Sequence, residues 1–138
     1  MIISNHSSAQ IMQIAVVGAH LAGMPLHYQL TDRGCHFIKA CKTASSYRLY
    51  ALANTNPSKP GLVRVSEAGV AIDLEVYEMP IIEVGSFLNL IGHPLGLGSV
   101  ELDDGAWVKG FICEPQAIIS GVDISQFGGW RSYVRGLG

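Results

Sequence analysis

The 138-residue sequence predicts one α+β domain built on a small, curved, mostly antiparallel sheet or partly closed barrel with flanking helices. Three observations carry that prediction. Short β-branched or alternating runs recur along the chain, separated by turn residues and punctuated by sixteen glycines. Only one segment, Ile81 to Leu90, carries a clear helical period. Apolar residues make up 49 % of the chain and charged residues 14 %, enough to build a core and too apolar for disorder.

In chain order, Met12 to Val17 is short, rich in β-branched residues and ended by Gly18, so it reads as a buried strand. Gly18 to Gly23 is a loop containing His20. Pro25 to Leu30 is a helical turn or an extended piece, and Asp32-Arg33-Gly34 turns the chain. Cys35 to Lys42 and Tyr47 to Leu52 alternate as strands. Asn54 to Gly61, with two prolines and two asparagines, reads as a surface loop, followed by a short strand, Leu62 to Val65. Ala71 to Met79 places Ile72, Leu74 and Val76 on one face and Asp73, Glu75 and Tyr77 on the other. Pro80 opens the Ile81–Leu90 helix, which Gly92-His93-Pro94 stops. Asp103-Asp104-Gly105 joins Ser99–Leu102 to Trp107–Ile112 as a hairpin. Ser125 to Val134 reads as a last short helix weakened by Gly128-Gly129.

Composition excludes several functions. The net charge is −2 with no Lys/Arg cluster, which disfavours nucleic acid as a partner. No apolar run approaches the ~18 residues that span a bilayer, so no membrane partner is expected. The start of the chain lacks a basic region and an apolar centre; residues 1–11 are expected to form a loose arm and residues 12–138 the domain, in the cytoplasm. Cys35, Cys41 and Cys113 lack the number and spacing of a disulfide framework or a zinc site, and read as reduced thiols. His6, His27, His36 and His93 show no ligand spacing, so neither metal nor cofactor is expected.

The candidate site is the loop after the first strand. Gly18 and Gly23 let successive N–H groups turn toward one point and hold a carboxylate, and His20 adds a group that titrates near neutral pH. A glycine turn bearing a surface histidine is the bland alternative.

The run Ile14-Ala15-Val16-Val17-Gly18-Ala19-His20-Leu21-Ala22-Gly23-Met24-Pro25-Leu26 resembles the opening motif of the allophanate hydrolase C-terminal domain. Further matches follow in order: residues 30–34, 47–52, 59–62, 74–77, 94–102, 110–114, and Asp123-Ile124 with Phe127-Gly128-Gly129-Trp130-Arg131. The resemblance implies a γ-glutamyl cyclotransferase-like fold, a small β-barrel with flanking helices. It implies a place in urea and allophanate nitrogen metabolism, where an amidase releases ammonia from allophanate and this domain decarboxylates the N-carboxycarbamate that remains. It also implies His20 as the catalytic residue, suited to act as general acid on nitrogen while the C–N bond breaks. Gly18, Ala19, Leu21 and Gly23 would supply the loop around the substrate, and Arg48, Tyr47 and Glu75 are further candidates for binding it. Tyr47 with Tyr50 reads equally as barrel lining, Arg48 and Glu75 as solvated strand positions. His27 is close enough in sequence to line the same pocket.

No amidase signature is present, so the domain is expected to stand apart from an amidase half. Two alternatives remain. One is a non-catalytic binding or assembly module that docks on a separately encoded amidase or forms a homo-oligomer. The other is a cyclotransferase-type enzyme, disfavoured because Ser86 to Gly92, where the family resemblance would put its carboxylate, holds no Asp or Glu.

Overall fold

The computed structural model describes residues 10–137. Most of the expected N-terminal arm, and His6 with it, lies outside the described residues. Among the described residues, eight strands fall into two sheets. The larger has the order β2 (His36–Lys42), β5 (Asp73–Pro80), β1 (Ile11–Val16), β7 (Trp107–Cys113), β6 (Leu95–Glu101). Every pairing in it is antiparallel except β1 with β7. The smaller sheet has the order β4 (Pro60–Arg64), β3 (Tyr47–Ala51), β8 (Val122–Asp123), all antiparallel.

The fold is therefore α+β and mostly antiparallel, as the short strands predict, but it is not a closed barrel. The large sheet curls until its edge strands approach at one end. There an isolated bridge joins Thr43 to Leu102, Ala44 N–H donates to Glu101 O at 2.9 Å and Asp103 N–H donates to Lys42 O at 3.0 Å. Beyond that point β2 and β6 remain separate edges.

Three boundaries differ from expectation for identifiable reasons. β1 begins at Ile11, inside the expected arm, because it pairs in register from Ile11 against Pro80. β6 begins at Leu95, ahead of the expected start at Ser99, and takes in Gly96 and Gly98. A Cβ at Gly98 would meet Ile112 Cδ1 at 2.6 Å, so the missing side chain makes room for the neighbouring strand's isoleucine. The expected helix over Ile81–Leu90 is a 3-10 turn, Ile81–Glu83, running into a short α-helix, α2 (Val84–Leu88). Two other short helices are present, α1 (Tyr28–Thr31) and α3 (Trp130–Gly136).

β1 and β5 send Ile14, Ala15, Val16, Leu74 and Val76 into the core, joined by Leu30, Leu49, Leu62, Phe87 and Trp130. Glu75 and Tyr77 are also buried. The expected polar face of β5 is covered because the Gly18–Gly23 loop and α3 fold over it, as their bonds to Glu75 attest.

Candidate functional site

The Gly18–Gly23 loop leaves β1 through a tight turn, with Leu21 N–H donating to Gly18 O at 3.0 Å. Most of its carbonyls are then secured. Leu26 N–H donates to Ala19 O, Met24 N–H to Leu21 O, and His27 Nδ1–H to His20 O at 2.8 Å. Among the described residues, the N–H groups of Ala19 and His20 donate to no protein acceptor, although both residues are buried.

His20 is 8 % exposed. Phe87 packs edge-on to its ring at 5.2 Å between centroids, with Phe111 tilted at 6.1 Å. Its Nε2 lies 2.7 Å from Oε1 of the buried Gln29. With a carbonyl oxygen as acceptor, Nε2 carries the hydrogen, and Nδ1 is the atom left to gain and lose a proton. Burial lowers the His20 pKa, with the charges of Lys59 and His27 adding to the effect and the Gln29 bond opposing it. The lowered value favours the neutral imidazole in the free domain.

A cavity of about 40 Å³ opens beside this histidine. Gly18, Ala19 and His20 line it together with apolar side chains from Val16, Leu26, Leu90, Ile91, Leu95 and Phe111. One formal cation lines it too: Lys59, half-buried in the segment that enters β4. That segment reads as a surface loop in the sequence. The Lys59-Pro60-Gly61-Leu62 match was the signal available, but nothing in its spacing says that the lysine turns inward.

The other expected binding residues lie elsewhere. Arg48 alternates outward on β3 between the buried Tyr47 and Leu49. Its Nε donates to Asp123 at 2.8 Å and its Nη1 to Ala68 O at 2.5 Å. Tyr47 is fully buried, and its hydroxyl accepts the Glu101 N–H at 2.8 Å. Leu21 and Glu75 line a separate, larger pocket of about 420 Å³ bordered by Arg131 and Arg135. Gly23 has a φ of +83° and lines neither pocket; it reverses the chain after the loop. His27 braces the His20 carbonyl and packs on Tyr77, 5.6 Å between centroids, rather than lining the small cavity.

Gly18 is confined by packing: a Cβ there would overlap the ring carbons of Pro60, which opens β4 beside Lys59. Gly18→Ala is expected to cost about 1–3 kcal/mol through overpacking, read as a lower midpoint in urea unfolding at an unchanged slope. An unaltered midpoint would show that the Gly18–Pro60 approach is not tight in solution.

Residues 12–135 match the sequence family described as the allophanate hydrolase C-terminal domain. This chain belongs to that family. The urea amidolyase of Lachancea kluyveri is 46 % identical over 127 residues, covering 89 % of this chain and 7 % of that protein. The chain thus spans about 7 % of the length of the curated relatives it matches. Among solved structures, Kluyveromyces lactis allophanate hydrolase is 45 % identical, with a TM-score of 0.90 over 92 % of this chain and 21 % of that one. A uropathogenic E. coli-specific protein is 28 % identical, with a TM-score of 0.85 over 91 % of this chain and 97 % of that one. Likeness of fold alone reaches an AIG2-like protein from Mus musculus, 18 % identical with a TM-score of 0.59 over 82 % of this chain and 86 % of that one. The α+β, mostly antiparallel architecture expected from the family resemblance is thus observed, with the large sheet open where a barrel was expected. Among the described residues, no helix of this allophanate hydrolase C-terminal domain is long and apolar enough to cross a membrane.

Proposed function

We propose that this domain accelerates loss of CO2 from N-carboxycarbamate, the product left when an amidase removes ammonia from allophanate. The observation that carries the reading is the meeting of His20, Lys59 and the Gly18–Ala19 stretch of the loop at one small apolar cavity. A short dianion needs donors and a cation, and its decarboxylation needs a proton for nitrogen.

Burial is the main cause of the lowered His20 pKa in the free domain, and the charge of Lys59 adds to it; a substrate carboxylate beside Lys59 offsets that second contribution. A bound dianion then raises the His20 pKa, so the domain takes up a proton as the substrate binds. In the reaction, the proton on His20 Nδ1 moves to the bridging nitrogen as the bond from nitrogen to one carboxylate breaks. The electron pair of that bond stays on nitrogen, CO2 departs and carbamate remains. His20 is left neutral and regains its proton from solvent. The Ala19 and His20 N–H groups hold the carboxylate that stays, and the apolar walls strengthen both interactions by excluding water.

The absence of Asp and Glu from the residues lining the cavity disfavours the cyclotransferase alternative. The one buried carboxylate among the described residues, Glu75, is engaged elsewhere. The test is CO2 release in a coupled assay with an amidase that generates the intermediate, with spontaneous decay measured in the same buffer. Domain-dependent acceleration that saturates with substrate is expected. Equal rates with and without the domain would reject catalysis and leave a module that binds small anions or docks on the amidase.

A further inference from the structure

The ion pair between Glu75 and Arg131 lies outside the His20 cavity, yet its bonds converge on a single residue of the His20 loop. Glu75 Oε1 accepts the Ala22 N–H at 3.0 Å, and Arg131 Nη2 donates to the Ala22 carbonyl at 2.6 Å. The two side chains also bond each other, Arg131 Nη2 to Glu75 Oε2 at 3.0 Å. Tyr77 donates its hydroxyl to Glu75 Oε1 at 3.0 Å. Both backbone polar groups of Ala22 are thus held by one ion pair, two residues beyond His20, while Gly18 is pinned against Pro60 at the other end of the turn.

We infer that Glu75 and Arg131 act as positioning residues: together they clamp Ala22 and so fix where the His20 imidazole sits in its cavity. This rests on the proposed role of His20. The two partners come from distant parts of the chain, Glu75 from the centre of β5 and Arg131 from the first turn of α3. Packing does not call for a charged pair here: Glu75 is buried but the Arg131 side chain is 38 % exposed, and an ion pair with one partner so open to solvent adds little net stability. What such a pair can supply is a fixed geometry. Burial alone would push the Glu75 carboxyl up, but its bonds from Ala22, Arg131 and Tyr77 prevail and hold it below the usual range. Burial and that carboxylate together push the Tyr77 phenol up to about 12. The clamp therefore stays charged and intact across the neutral range, where a proton donor must keep its place. Displacing a reacting group by ~1 Å can cost about 10²-fold in rate, so a clamp of this kind matters to kcat even though it never touches the substrate.

The experiment compares Arg131→Met, Arg131→Lys and Glu75→Gln with the parent domain by three readouts. These are hydrogen exchange at the Ala22 amide, the His20 pKa from imidazole NMR in the free domain, and coupled CO2 release separated into kcat and KM. Arg131→Met is expected to speed Ala22 exchange, move the His20 pKa up toward its ordinary value as the ring gains water, and lower kcat by roughly 10- to 100-fold with little change in KM. Arg131→Lys, which keeps one charged donor, should recover much of kcat. Glu75→Gln preserves size and an acceptor for Ala22, and should give a smaller shift of the same sign, so it tests the clamp even if Arg131→Met folds poorly. Unchanged His20 pKa and Ala22 exchange in folded Arg131→Met or Glu75→Gln would overturn the inference and leave the pair a structural tie. The NMR and exchange readouts need no turnover, so they judge the clamp even if the parent domain releases no CO2.

Discussion

His20→Ala is expected to remove about 10²–10⁴-fold of the domain-dependent rate of CO2 release, the usual contribution of a general acid. Most of the loss should fall on kcat, because Lys59 and the loop N–H groups still hold the substrate. The fold should persist, since the imidazole fills one wall of a cavity rather than the centre of the core. The pH profiles give a second, sharper signature. In the free domain the His20 pKa is held below 6.5, first by burial and then by the charges of Lys59 and His27, against the Gln29 bond. The active form of an acid is protonated, so kcat/KM should fall as pH rises through that lowered value. Once the dianion is bound its charge favours the imidazolium, so the corresponding fall in kcat should occur at higher pH. A His20→Ala domain as fast as the parent, or profiles of kcat and kcat/KM with the same descending limb, would remove His20 from the proton-donor role.

Lys59→Met should act on the other half of the site. A charge-assisted hydrogen bond to a substrate carboxylate contributes about 1.5–3 kcal/mol, so KM should rise by roughly 10- to 100-fold while the step at nitrogen is less affected. Methionine keeps the apolar stem along the cavity wall, so lost packing contributes little. The substitution also makes a prediction free of any turnover. Removing a positive charge beside His20 takes away one cause of its lowered pKa, so the imidazole should titrate at higher pH in Lys59→Met than in the parent. A raised KM without that shift would place the lysine on the substrate but away from the histidine. A shift without a raised KM would make it an electrostatic neighbour only.

Much of this protein was legible in its sequence because the signals involved are local. The short β-branched run ended by Gly18, and the period-two alternation of Leu74 and Val76, mark strands wherever they end up in space. The Asp103-Asp104-Gly105 turn defines a hairpin from adjacent residues, and β6 and β7 pair across it as expected. The ordered family motifs identify the fold and single out His20 in the same way, residue by residue.

What tertiary structure alone decided is which side chains meet, since pairing across the chain leaves no periodic mark. Arg48 looked suited to an anion, yet strand alternation points it away from the core into Asp123 on β8, a two-residue strand too short to announce itself. Lys59 looked like part of a solvated Pro/Asn loop, yet the approach of Pro60 to Gly18 brings it to the cavity wall. Glu75 looked like a solvated strand carboxylate until the glycine loop and α3 closed over it. The proton affinity of His20 follows the same logic. Its residue type sets the ordinary value, while burial against Phe87 and Phe111 and the field of Lys59, all contributed from distant segments, lower it.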